Sequence, residues 1–258
     1  MGTITIATSG YSYDDWRGVL YPDDLPKDRF LQYYSLFFNF VELNFSYYTM
    51  PRAATLSAMA GRTPPSFRFS LKAHRSLTHE PGVGWKEDAA TFARAADALA
   101  GQGRLVAVLL QLPYRFHHTP DNRSYLAALI DALKPLPLVV EFRNDEWSTG
   151  RVYDELDRRG VGLAMVDRPD LPGLPEESDR VTGGLGYMSF HGRNADAWWK
   201  GDANGPYKWD YTRGELDATV PRIRRMAGNA DLFIAFNNHA AGHAVTNAGT
   251  LRELLEIR

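Results

Sequence analysis

Two pairs of polar residues stand two positions apart inside otherwise apolar runs: Glu42 and Asn44 in VELN, and Glu141 and Arg143 in VVEFRN. Strand side chains alternate faces, so each pair points one way. A buried carboxylate is costly unless paired, which predicts that Glu42 or Glu141 meets Lys72 or Arg143. Two carboxylates, a lysine and a histidine supply a general acid and a general base when their surroundings push the pKa values apart. Lys72, Arg143, His191 and Arg193 together would suit an anionic group such as phosphate, for which arginine offers a two-pronged fork. The plainer alternative is that these cations only neutralise Glu42, Glu141 and Asp167.

Positioning such a set requires strand ends that converge. Short apolar, β-branched runs bounded by turn residues recur at 4–9, 40–45, 66–72, 106–112, 137–143, 162–167, 187–192 and 231–237. Amphipathic stretches fill the gaps at 27–38, 52–60, 87–100, 122–133, 149–159, 214–227 and 243–256. Between Asp167 and Tyr187 the Pro- and Gly-rich RPDLPGLPEESDRVTGG reads as a loop in place of one helix. Near-continuous apolar strands need both faces covered, so the expected fold is a (β/α)8 TIM-barrel-like domain over residues 1–258, with an open doubly wound sheet as the alternative. In such a barrel the site lies at the C-terminal strand ends. Those ends carry Ser9, Glu42 with Asn44, Lys72, Gln111, Glu141 with Arg143, Asp167, His191 with Arg193, and Asn237 with Asn238. Some of these residues can equally plug the barrel through mutual ion pairs.

Composition narrows the chemistry. The 258 residues contain no cysteine, which removes disulfides, thiolate nucleophiles, iron–sulfur clusters and cysteine zinc sites. A formal charge of −2 and a pI near 6.4 give no global attraction to nucleic acid or an anionic membrane. No window reaches the apolar length of a membrane span and no leader pattern opens the chain, so a cytoplasmic protein without a membrane or evident protein partner is expected. The candidate metal donors are oxygen-rich and lack HExxH spacing, so no metal site is assigned, the cofactor stays open, and Mg2+ is allowed by the donors but not favoured.

Aromatic residues crowd two connections. Tyr11, Tyr13, Trp16 and Tyr21 follow the first strand, where they are expected to wall a pocket rather than cap the core. HGRNADAWWKGDANGPYKWDY, 191–211, suits a lid or stacking wall over the mouth. His79 in SLTHE falls in the loop after the third strand, where a solvent-facing role is the common one.

TSGYSYDDWRGVLYP, VELNFSYYTMP, FRFSLKAHRSLTH, LLQLP, VVEFRNDEW, SFHGRN followed by WW, and FNNHAAGHAVTNA occur in this order along the chain. In them the sequence resembles the YecE-like family, domain of unknown function 72, over essentially its whole length. The resemblance implies a TIM barrel and no established activity. It brings His79 into the candidate catalytic set with Glu42, Lys72 and Glu141, and adds Ser9, Gly10, Thr78, Trp147 and Gly192 to the motif positions. The candidate substrate-binding set is Tyr11, Trp16, Asn44, Gln111, Arg143, Asp167, His191, Arg193, Asn237 and Asn238. Tyr11 stands where the family often carries Trp, a departure that bears on ligand shape.

The leading functional expectation is an enzyme, a hydrolase or isomerase, acting on a small anionic substrate, either a phosphorylated sugar-containing compound or nucleic acid. The alternatives are a non-catalytic nucleic-acid-binding barrel and a glycosidase-like carbohydrate enzyme, the latter disfavoured by Lys72 and Arg143 because that chemistry needs no cationic clamp.

Overall fold

A computed structural model describes residues 2–200, 205 and 207–257. All eight expected strands are present: β1 Ile4–Thr8, β2 Phe40–Leu43, β3 Arg68–Lys72, β4 Leu105–Gln111, β5 Leu138–Glu141, β6 Gly162–Asp167, β7 Leu185–Phe190 and β8 Asp231–Phe236. They pair in parallel in the order β1-β8-β7-β6-β5-β4-β3-β2. The two ends of that order, β1 and β2, meet through one bridge at their C-terminal ends, Ser9 with Glu42, where Gly10 N–H also donates to Glu42 O at 2.7 Å. The architecture is a nearly closed (β/α)8 TIM-barrel-like fold. Because every strand is covered on both faces, runs such as LVAVLLQ in β4 are almost wholly buried.

Helices alternate with the strands and bury one stripe each. Trp85–Ala100 buries Ala89, Phe92, Ala95, Ala96 and Leu99, a spacing of three and four that keeps one face on the sheet. Pro120–Leu133 starts at Thr119, whose hydroxyl accepts from Asn122 N–H at 3.2 Å, with proline in the first turn. The inner layer is aromatic: Phe40 meets Phe233 and Tyr187 edge-on, with centroids 5.3 and 6.4 Å apart. No helix among the described residues is long and apolar enough to cross a membrane.

The stretch between β6 and β7 contains no helix, as its proline and glycine content requires. Two expected helices differ. The one placed at 214–227 is two, Arg213–Asp217 and Val220–Asn229, because Pro221 starts the second and cannot continue the first. The one placed at 27–38 closes at Tyr34, where Ser35 Oγ donates back to Gln32 O and competes with the helical ladder.

Candidate active site at the C-terminal mouth

The β1/β2 seam is locked by side chains as well as backbone. Ser9 Oγ donates to Glu42 Oε1, Tyr187 OH donates to Glu42 Oε2 at 2.7 Å, and Asn44 Nδ2 donates to Ser9 Oγ at 2.7 Å. Burial raises the Glu42 carboxyl above its usual range, against the lowering effect of those two hydroxyl donors. Gly10 adopts φ +80°, and a Cβ there would strike the Tyr13 ring, so the turn leaving this seam requires glycine. Asn44 Oδ1 is buried and has no partner among the described residues.

Glu141 closes β5 with its side chain fully enclosed. Gln111 Nε2 donates to its Oε1 at 2.7 Å, Arg143 Nε at 2.5 Å, and His191 Nε2 lies 3.2 Å away. The cross-strand register that pairs Gln111 with Glu141 makes the first of these contacts. Burial opposes ionisation, but Arg143, His191 and Lys72 outweigh it, and the carboxyl is held well below the usual range. All three contacts fall on Oε1. Oε2 is buried with no partner among the described residues. His191 is buried and its pKa is pushed down to about 4, first by desolvation and then by Arg143. Asn237 Nδ2 lies 2.9 Å from its Nδ1, and Arg143 Nη2 lies 3.0 Å from its Nε2. Arginine only donates. When it bonds to Nε2 the ring proton sits on Nδ1 and the amide presents its oxygen; when Nε2 holds the proton it faces Glu141.

Lys72 ends β3 and is partly exposed. Its Nζ sits 4.7 Å from the centroid of the Tyr47 ring, and no carboxylate among the described residues lies within 4.0 Å of it. Burial lowers its pKa to about 8, with Glu141 pulling it up and Arg143 pushing it down. His79, reached from the loop after β3, has its pKa lowered to about 4 by desolvation, Lys72, Arg115 and Arg143, so it is a neutral imidazole at pH 7. Its Nδ1 lies 3.0 Å from Thr78 Oγ1.

A cavity of about 220 Å³ opens at this mouth, lined by His79, Gln111, Tyr114, Arg143, Leu174, Trp198, Trp199 and Tyr207. The Arg143 guanidinium lies 5.5 Å from the Trp198 ring centroid. The Trp/Tyr-rich stretch 191–211 thus supplies walls through Trp198, Trp199 and Tyr207, while its residues 201–204 and 206 lie outside those described. A larger groove of about 440 Å³ lies between the outer helices Pro120–Leu133 and Gly150–Arg158, contains none of the strand-end residues, and its Arg158 and Arg159 are paired with Glu155.

Several expected residues serve the scaffold instead. Trp16 is fully buried, stacks on Tyr21 at 6.3 Å and donates from Nε1 to His239 O at 2.8 Å, so it caps the core and presents no face to a ligand. Tyr21 is likewise core, stacked on Phe30 at 3.9 Å. Both correct the expectation of a pocket wall, because the chain after β1 folds inward over the first helix. Tyr11 is half-buried beside Tyr34 and does not line the cavity. Arg193 forms a two-pronged pair with Asp167 at 2.9 and 2.5 Å, and Tyr211 OH donates to the same carboxylate at 2.7 Å. Its charge is therefore spent inside the protein. Asn238 is buried and donates to Asn247 Oδ1 and Trp209 O, tying β8 to the last helix and the preceding loop.

Tyr187 and Tyr47 are the participants that motif reasoning passed over. Tyr187 had a signal: it stands at i, Ser189 at i+2 and His191 at i+4 along β7, one face of one strand. Tyr47 had none, since it reaches Lys72 from the short helix Phe45–Tyr48 after β2. With both Glu42 oxygens engaged and three contacts on Glu141 Oε1, the acids do not present the open oxygen set that Mg2+ takes. Among the described residues no three histidines or acids gather as a metal cluster.

Residues 5–258 match the family described as protein of unknown function DUF72. The chain is 27% identical over 255 residues to the UPF0759 protein YunF of Bacillus subtilis, covering 92% of this chain and 90% of that one. It superposes on a DUF72 family protein from Thermotoga maritima with a TM-score of 0.90 and 34% identity, covering 98% of this chain and 99% of the other. A DUF72 family protein from Enterococcus faecalis, at 23% identity and a TM-score of 0.85, covering 100% of this chain and 99% of that one, shares the fold.

Proposed function

The chain belongs to the family of unknown function DUF72, and from that premise we propose that it is an enzyme whose barrel mouth takes a small phosphorylated, sugar-containing substrate. The observation that carries this reading is Glu141 Oε2: an ionised carboxylate fixed by three contacts on one oxygen keeps the other buried and unpartnered. A carboxylate so held is a fixed anionic acceptor that a donor on a bound molecule would complete. Glu42 is shifted the other way by burial, and with Ser9 and Tyr187 on its two oxygens its place is the β1/β2 seam rather than the chemistry.

Charge supports an anionic substrate. Lys72 and Arg143 stand against Glu141, with Glu42 shifted toward neutrality, His79 and His191 uncharged at pH 7, and Arg193 cancelled by Asp167. Two cations thus stand at the mouth against the one carboxylate held firmly ionised, an arrangement that favours an anionic group. The cavity of about 220 Å³ suits a sugar phosphate better than a nucleic-acid strand, because it falls below the roughly 300–1,000 Å³ of pockets that take drug-sized ligands. Hydrolysis or isomerisation is the corresponding reaction class.

Thermal unfolding with ribose 5-phosphate, ribose and an oligonucleotide tests the reading, using wild type and Arg143→Lys, which keeps the charge and loses the fork. Ribose 5-phosphate should stabilise the wild type by about 2.7 kcal/mol at a hundredfold excess over Kd, and the variant by less. Stabilisation by ribose alone, or by none of the three, refutes it.

A further inference from the structure

Lys72 differs from every other lysine of the chain. Of the six, Lys27, Lys86, Lys134, Lys200 and Lys208 are exposed, and only Lys72 is drawn into the protein. It ends β3 at the mouth, between the strands that carry Glu42 and Gln111. Its neighbourhood contains two acids, yet no carboxylate among the described residues comes within 4.0 Å. The contact at Nζ is the Tyr47 ring face, which holds an ammonium weakly and leaves its nitrogen open. Ser46 Oγ donates to Lys72 O at 2.7 Å and fixes the backbone from which the side chain projects. A lysine kept for stability would be ion-paired or turned to water. This one is neither: it stands partly exposed at the mouth, reachable and without an ion pair, in the ring that also holds the unpartnered Glu141 Oε2.

Resting on the phosphorylated-substrate reading, we propose that Lys72 is the nucleophile of the site and condenses through Nζ with the carbonyl carbon of a small phosphorylated aldehyde or ketone to form a Schiff base. Solvent water takes one proton from the partly exposed ammonium and frees the nitrogen lone pair. That pair forms the C–N bond while the carbonyl π pair moves to oxygen. Proton transfer from nitrogen to oxygen gives the carbinolamine, a solvent proton returns to the hydroxyl, and water leaves as the nitrogen pair closes the C=N bond. Overall the lysine ammonium and the carbonyl give a protonated imine and one water, with charge conserved and no redox partner. The iminium then serves as an electron sink for loss of a proton from the neighbouring carbon, the step an isomerase or a carbon–carbon lyase needs.

The surrounding charges support availability of the amine near neutrality. Lys72 faces Glu42 from β2, Glu141 and Arg143 from β5 and its end, His79 from the loop after its own strand, His191 from β7, and Tyr47 from the short helix after β2. With burial these bring its pKa to about 8. At pH 7.5 such an amine is neutral about a quarter of the time, against about one part in a thousand for an ordinary lysine.

The test is reductive trapping. The full chain is incubated at pH 7.5 with glyceraldehyde 3-phosphate and sodium borohydride, and the adduct is located by peptide mass spectrometry; glycerol 3-phosphate, which has no carbonyl, is used in parallel thermal unfolding and as a competitor. The expected result is an adduct on Lys72 at least tenfold above each of the other lysines, suppressed by glycerol 3-phosphate. Lys72→Arg, which keeps the charge, should still be stabilised by glycerol 3-phosphate and take no adduct above the exposed-lysine background. If glycerol 3-phosphate stabilises the wild type while Lys72 stays unmodified, the Schiff base is overturned and the anion site stands. If glycerol 3-phosphate neither stabilises nor protects, the anion site itself fails and the inference falls with it.

Discussion

Replacing Lys72 by methionine should stabilise the protein at neutral pH. The substitution keeps an unbranched stem of similar length and removes a charge that no carboxylate within 4.0 Å compensates. The fall of the pKa from 10.5 to about 8 corresponds to about 3 kcal/mol of unfavourable free energy for keeping the ammonium in the folded state. Loss of the contact with Tyr47 returns about 0.5–2 kcal/mol. The net gain at pH 7 is about 1–3 kcal/mol. Its pH dependence has a fixed sign. Between pH 8 and 10.5 the unfolded chain still binds the lysine proton that the folded chain has released, so wild-type stability rises with pH through that window, relative to the variant. The advantage of Lys72→Met is therefore greatest below pH 8 and narrows toward pH 10. Urea denaturation of both proteins at pH 7 and pH 10 measures it, and the difference between them cancels the tyrosines that titrate in both. A variant less stable at pH 7, with a gap that does not change with pH, would show that Lys72 is a structural counter-ion of Glu141 and would refute the reasoning.

Glu141→Ala should cost about 3–5 kcal/mol, because it strands the Arg143 guanidinium without its partner; a loss under 1 kcal/mol in denaturation would show that the clamp on Oε1 is not what holds this end of the barrel. His191 has a folded pKa of about 4 against 6.5, so the unfolded state binds more protons between those values and stability falls by about 3 kcal/mol as pH drops from 6.5 to 4. His191→Asn should flatten that slope, and unchanged slopes in paired unfolding curves would exclude the buried neutral imidazole. Trp16→Ala should cost about 3–5 kcal/mol through its core cavity while leaving the dissociation constant for glycerol 3-phosphate unchanged by calorimetry; a weakened constant would return Trp16 to the pocket wall.

The barrel was legible because its strands are buried on both faces, which writes them as apolar runs that polar residues terminate. The strand-end rule then found Glu42, Lys72, Gln111, Glu141, Arg143 and His191, all of which the structure brings into one ring. What alternation and composition do not encode is who pairs with whom across the barrel. Arg193 and Arg143 look equivalent in sequence, each two residues past a strand-end polar group, yet Arg193 is consumed by Asp167 while Arg143 lines the cavity. Trp16 misled for the same reason. An aromatic after a strand end reads the same whether the loop folds outward over the mouth or inward against Tyr21 and Phe30, and only long-range packing decides.

The division of labour around the ring follows from how the barrel closes. Between β1 and β2 the ladder is one bridge, so the seam depends on Ser9, Glu42 and Tyr187 to hold what backbone hydrogen bonds hold elsewhere. Across the ring Asp167, Arg193 and Tyr211 satisfy one another and fasten the far wall. These two closed networks have little left to offer a ligand. The groups with unspent capacity, Lys72 Nζ and Glu141 Oε2, lie on β3 and β5, flanking the strand whose Gln111 lines the cavity. Buried unpaired groups are selected against by stability alone. A buried carboxylate oxygen without a donor, with a partly exposed, unpaired ammonium on a nearby strand where a barrel forms its site, is best explained by a bound molecule that completes both.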